Sequence, residues 1–171
     1  VAGIYLTHPL IKERAQALDI KLGFDYKDVY EYLLDSIMSK DNIRVFNLGG
    51  TYDFTDRAQG RNIINLTYYQ GVRGILGGNG KKDPDSSRLN ADGAFAKYTA
   101  DIIRLQKLPG YNHLYLRASG QLSEDNLFVA EQFMLGGAGS VRGFSPASQS
   151  GDSGYFGSAE LHLSPLYPET K

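Results

Sequence analysis

The chain lacks cysteine and tryptophan altogether, has only two methionines, and contains no run of roughly 18 apolar residues. Without cysteine there are no disulfides and no thiolate metal sites, and without a long apolar run there is no membrane-spanning helix. Net charge is nearly missing too. Lys and Arg number 18 against 19 Asp and Glu, a formal charge of -1, so the basic excess that grips nucleic-acid phosphates is absent and no nucleic-acid partner is expected. His8, His113 and His162 are scattered with no ligand spacing, so neither a metal nor a cofactor is expected. There is no Gly-x-Ser-x-Gly elbow and no other catalytic constellation, which argues against an enzyme. Gly77-Gly78-Asn79-Gly80-Lys81-Lys82 has the look of a phosphate loop, but Ile75 stands where the first glycine belongs and no Ser or Thr follows Lys81. The first residues show no charged-then-apolar leader and read as the middle of an element already under way.

What the chain does have is twelve tyrosines, eight phenylalanines, twenty glycines and sustained alternation. From Ala17 to Lys27, Leu18, Ile20, Leu22, Phe24 and Tyr26 share one face while Asp19, Lys21, Gly23, Asp25 and Lys27 take the other. This period of two describes a strand with one dry side. The same pattern sets Phe46, Leu48, Tyr52 and Phe54 against Asn47, Gly49, Thr51 and Asp53, and Ile64, Leu66 and Tyr68 against Asn65 and Thr67. It recurs over residues 94–106, 114–121 and 155–163, with charge on the polar side at Lys97, Asp101, Arg117 and Glu160. Such runs approach the roughly 9–11 residues that a tilted strand needs to cross a bilayer. The expected fold class is therefore all-β, an antiparallel transmembrane β-barrel of which about seven strands are present. A soluble sandwich also alternates and stays open as the alternative at this point.

Short connections carry turn chemistry, around His8-Pro9 and over Asp56-Arg57-Ala58-Gln59-Gly60, while residues 73–92 and 123–154 form long polar loops. Barrels alternate short periplasmic turns with long external loops in this way. Tyr30 to Met38 reads as a short helix or an apolar loop edge. Within the second long loop Arg142 is the only Lys or Arg between Arg117 and Lys171, although acids occur at Glu124, Asp125, Glu131 and Asp152. A lone guanidinium set among glycines is suited to an enclosed carboxylate, since its planar fork stays charged at any accessible pH.

With these residues in view, the chain resembles the outer-membrane transporters of bacterial two-partner secretion, the haemolysin-activator and haemagglutinin-secretion proteins. The likeness is carried by Glu131-Gln132-Phe133 with Leu135-Gly136-Gly137, by Val141-Arg142-Gly143-Phe144, by Ser150-Gly151-Asp152-Ser153-Gly154-Tyr155 and by Glu160-Leu161. Further upstream, Pro9 to Arg14, the Arg44 strand ending in Tyr52-Asp53-Phe54-Thr55-Asp56, and Ser119-Gly120-Gln121 extend it over most of the chain.

The resemblance implies residence in the bacterial outer membrane, surrounded by its lipid, and passage of a large unfolded secreted protein, an adhesin or haemolysin, without ATP. It implies a sixteen-strand barrel whose Val141-Arg142-Gly143-Phe144 loop folds into the lumen, with Arg142 reaching an Asp on a later strand of Phe-x-Asp-x-Gly pattern. Residues 1–171 are then expected to be part of one barrel domain, with loop 123–154 carrying the motif and with the periplasmic capture domains and last strands absent. Glu160 is the substitute partner for Arg142 within this sequence. An assembly or insertion factor of the same superfamily, or a soluble β-sheet binding module, would be the alternative functions.

Overall fold

The computed structural model describes residues 1–163. In chain order the strands are β1 (Ala2–Lys12), β2 (Gln16–Leu33), β3 (Ser36–Thr55), β4 (Gly60–Gly71), β5 (Ala96–Lys107), β6 (His113–Leu122), β7 (Phe133–Leu135), β8 (Gln149–Gly151) and β9 (Gly154–His162). Two short 3₁₀ turns, Ile75–Gly77 and Val129–Glu131, lie in the long loops. Seven strands form one antiparallel sheet in the order β1-β2-β3-β4-β5-β6-β9, and β7 pairs with β8 as a separate hairpin. Among the described residues the sheet does not close, as expected of part of a barrel.

The alternating runs of the sequence lie in strands except at Ala94, Phe95 and Leu163, which fall just outside β5 and β9, and the pairing register aligns like with like. Lys21, Gly49, Thr67, Thr99 and Gln121 form one cross-strand row, and Asp19, Thr51, Asn65, Asp101 and Ser119 form the next row on that face. The opposite face carries the row Leu22, Leu48, Tyr68, Tyr98 and Leu122. Burial is inverted relative to a water-soluble sheet. Leu66 is 56% exposed, and Leu22, Phe46, Leu48, Tyr98, Leu122 and Leu161 are also open, whereas Asn47 and Gln121 on the polar face are each 5% exposed. A soluble sandwich would press those leucines against a second sheet. Here they form a continuous apolar surface far larger than water tolerates and suited to lipid tails. Aromatic pairs mark that surface at two levels, Phe24–Phe46 and Tyr68–Tyr98 toward the long loops, Tyr52–Phe54 toward the short turns. Beyond Phe46 the outward stripe ends at Arg44, whose guanidinium lies over the Tyr26 ring and donates to the carbonyl of Leu76 at 2.9 Å and to Asp28 at 2.9 Å.

Two turn assignments are corrected. His8-Pro9 is no turn: β1 runs through it, with a bulge between Pro9 and Ile11, on the outermost strand of the described sheet where a missing N–H is tolerated. Tyr30 to Met38 is neither helix nor loop, because β2 and β3 continue as a hairpin to a two-residue turn at Leu34 and Asp35, both with positive φ (49° and 63°). With 18 and 20 residues these strands exceed the length a bilayer crossing needs, so the hairpin projects beyond it.

The remaining short turns, at 13–15, 56–59 and 108–112, share the opposite end of the sheet. Asp56 organises one of them. Its Oδ1 accepts the N–H groups of Ala58 and Gly60, both at 3.0 Å, and its Oδ2 accepts from Arg104 at 2.5 Å. The Arg104 guanidinium, and after it the Gly60 N–H, hold this carboxyl down from 3.8 to about 2. A depressed value means that the turn's carboxylate contribution is complete above the ordinary pKa and is lost only as pH falls through about 2. Carboxyl carbon shifts of Asp56 in detergent-solubilised protein should show a midpoint well below 3.8; a midpoint at or above that value contradicts the Arg104 contact.

The fully buried hydrophobic residues sit at the long-loop end. Ile43 and Val45 on the polar side of β3 meet Ala91 and Phe95 from the loop after β4, and Leu127 and Phe128 from the loop after β6, with Tyr69 packed beside them. The two long loops therefore fold back over the polar face and share a dry core there.

Candidate functional site

The loop between β6 and β9 is tied down before it reaches Arg142. Asp152 Oδ1 accepts the Leu127 N–H at 3.1 Å and Gln132 Nε2 at 3.3 Å, and also pairs with Arg88 Nη1 from the other long loop. Burial pushes this carboxyl up, but Arg88 and the Leu127 N–H outweigh it and leave the pKa lowered. Arg88 Nη1 in turn donates to the Leu127 carbonyl at 3.2 Å, so one acid and one base join both loops. Ser153 and Ser123 exchange hydrogen bonds of 2.9 and 3.0 Å across the loop's two ends. The segment is thus not structureless: a 3₁₀ turn and the β7–β8 hairpin lie within it.

Past the hairpin the chain tightens into a glycine-rich tip. Gly136 (φ 115°) could not carry a side chain, since a Cβ there would fall 2.1 Å from the Ser145 carbonyl oxygen. Gly137 donates its N–H to the Phe144 carbonyl at 2.9 Å, and the Ser140 hydroxyl donates to the Gly136 carbonyl at 3.0 Å. Val141, Arg142, Gly143 and Phe144 occupy the outer part of this tip, and Gly143 takes the left-handed φ of 92°. Arg142 Nη2 lies 2.7 Å from Glu160 Oε1 on the polar face of β9. Behind Glu160, His162 Nε2 stands 3.5 Å from Oε2 and stacks on His113, ring centres 4.7 Å apart. The pair is open to solvent on the described sheet, with side-chain exposures of 71% for Arg142 and 30% for Glu160. Phe144 does not pack on the described strands: it is 63% exposed.

A second contact fixes the tip through its backbone. Arg117 on β6 donates from Nη1 to the Gly139 carbonyl at 3.1 Å, reaches Asp101 on β5 at 3.3 Å, and lies over the Phe156 ring. Tyr115, Arg117, Ser158 and Glu160 thereby floor a cleft roofed by Ala138 to Arg142. A glycine-rich hairpin is held across a polar wall by two guanidiniums, one donated by the hairpin and one by the wall.

The family model described as haemolysin secretion/activation protein ShlB/FhaC/HecB matches residues 2–171. The chain belongs to this family. CdiB from Escherichia coli has the same fold, with a TM-score of 0.80 at 23% identity over 93% of this chain. This chain spans 29% of CdiB. No curated protein matches the chain. ShlB/FhaC/HecB proteins are outer-membrane transport proteins of Gram-negative bacteria rather than enzymes, which puts the sheet with its exposed apolar face in the outer membrane.

Within this family member, the structure brings together the two site residues singled out in the sequence, Arg142 and Glu160. It adds Arg117 and Asp101 beneath the tip, and Lys27 and Lys97, which pair with Glu131 at the loop's root; sequence reading placed all four on polar strand faces without linking them to the loop. Their one visible signal was charge on the wall side of an alternating strand.

Proposed function

We propose that the complete protein is an outer-membrane pore through which a large unfolded secreted protein, an adhesin or haemolysin, crosses without ATP. The loop carrying Val141, Arg142, Gly143 and Phe144 lies in its lumen. The observation that carries this reading is the loop's course over the polar face, ending in the 2.7 Å contact of Arg142 with Glu160. A guanidinium and a carboxylate that meet at this distance gain a charge-assisted bond, which gives the loop a defined resting place on the polar wall. Beyond the dry core at the loop's root, the tip is held by a few polar contacts, which suits a plug that must yield to a passing chain. Residues 1–171 are, on this reading, part of one barrel domain, and loop 123–154 is its functional loop.

Deleting the gene should leave the secreted partner undelivered to the medium while other outer-membrane proteins keep their normal levels. Restored export on complementation, and export into energy-free proteoliposomes without nucleotide, complete the test. A general fall in outer-membrane proteins would instead assign the protein to barrel assembly and overturn the proposal.

A further inference from the structure

Glu131 is 2% exposed, and both of its oxygens are taken. Oε1 lies 2.7 Å from Lys27 Nζ on β2, and Oε2 lies 2.8 Å from Lys97 Nζ on β5. Its carbonyl oxygen accepts from Lys97 Nζ at 2.9 Å and from Gln121 Nε2 on β6 at 3.0 Å. With β3 and β4 lying between β2 and β5, one loop residue braces three strands spread across five positions of the sheet. Burial pushes the carboxyl up, and the ammoniums of Lys97 and Lys27 more than offset it, leaving the pKa lowered. On one side of Glu131 the fully buried Leu127 and Phe128 join the dry core; on the other, the glycines at 136 and 137 take φ values of 115° and 86° before the exposed tip begins. The loop thus has a clamped root, a glycine joint and a lightly held tip.

We infer that Glu131 is a positioning residue: clamped between Lys27 and Lys97, it fixes the root of the loop on the wall, so that movement during transport is confined to residues beyond Gly136. This rests on the loop acting inside the pore as proposed above. Removing the carboxylate would leave the enclosed Lys97 ammonium and the partly open Lys27 ammonium facing each other without a counter-charge, the arrangement that breaks a buried ion cluster.

The test uses the complete protein with Glu131→Gln, and reads backbone hydrogen exchange over residues 127–135, export of the secreted partner, and heat-modifiable gel mobility as the mark of a folded barrel. Exchange over that segment should rise by about tenfold or more and export should fall by a similar factor, with the barrel still folded. The exchanged pair K97E/E131K keeps one carboxylate and two ammoniums in the cluster and should recover both readouts to within about twofold of the native protein. If Glu131→Gln does not assemble, Lys27→Gln, which trims the cluster at its more open edge, should give the same rise in exchange. Native protection in the variant that assembles, or undiminished export by it, overturns the inference. So does a charge-exchanged pair that fails to recover. Exchange is measured without cargo, so it judges the clamp even where Arg142→Ala proves harmless to export and the lumen-loop reading falls.

Discussion

Export of the secreted partner by the complete protein should fall on the order of ten- to a hundredfold when Arg142 is replaced by Ala, while the barrel still inserts. The factor corresponds to the roughly 1.5–3 kcal/mol of a hydrogen bond to a charged group. On the isolated sheet this pair would contribute far less, because both partners are open and water screens them. Inside a lumen the loss is larger, since Glu160 would be left facing the conduit without its partner. Arg142→Lys should restore only part of the function, because an ammonium keeps the charge but loses the planar geometry. Immunoblots of cargo in the medium, with heat-modifiable mobility reporting insertion, measure both quantities. Undiminished export by Arg142→Ala would remove the guanidinium from the mechanism.

The second large effect concerns the wall. Leu66 and Thr67 are neighbours in β4, yet Leu66 belongs to the open apolar face and Thr67 to the polar row with Gly49 and Thr99. Leu66→Lys should destabilise the inserted barrel by about 2–4 kcal/mol, as a lysine in the lipid-facing band does near the middle of the bilayer. Thr67→Lys places the same charge one residue along, into a watery interior, and should change stability by less than about 0.5 kcal/mol. Denaturant-induced unfolding from lipid vesicles, compared at one lipid composition, measures the difference. Equal effects from the two lysines would mean that the apolar face does not meet lipid.

The strand scaffold was largely legible because alternation carries the facing of each side chain directly, as in Leu18 to Lys27 and in Tyr98 to Ile102. Two parts were hidden by their chemistry. β1 contains Pro9 and a bulge, both of which normally announce a break, and only its outermost place in the described sheet permits them. The β2–β3 tip turns at Leu34-Asp35, a pair without the glycine or asparagine that marks such turns, so its apolar flanks looked like a helix or loop edge. At the candidate site, the isolation of Arg142 in the sequence drew attention to the loop whose tip meets Glu160, and Glu160 was reachable because it falls on the polar side of the next strand. The clamp was not. Lys27 and Lys97 lie 104 and 34 residues from Glu131, and only the sheet order brings them to it. Spacing in a sequence records neighbours within a strand and has nothing to say about which loops lie across it.

Among the described residues, six hydrophobic side chains are fully enclosed by the protein, and all of them cluster under the long loops. Most of the large exposed apolar side chains lie on the opposite strand face, so for much of this molecule the hydrophobic interior is supplied by its surroundings. Folding and entry into the membrane are then coupled, because exposed strand faces of this kind are sheltered only once the sheet is inserted. Acyl-chain length and packing act on the stability of this chain as core substitutions act on a soluble one.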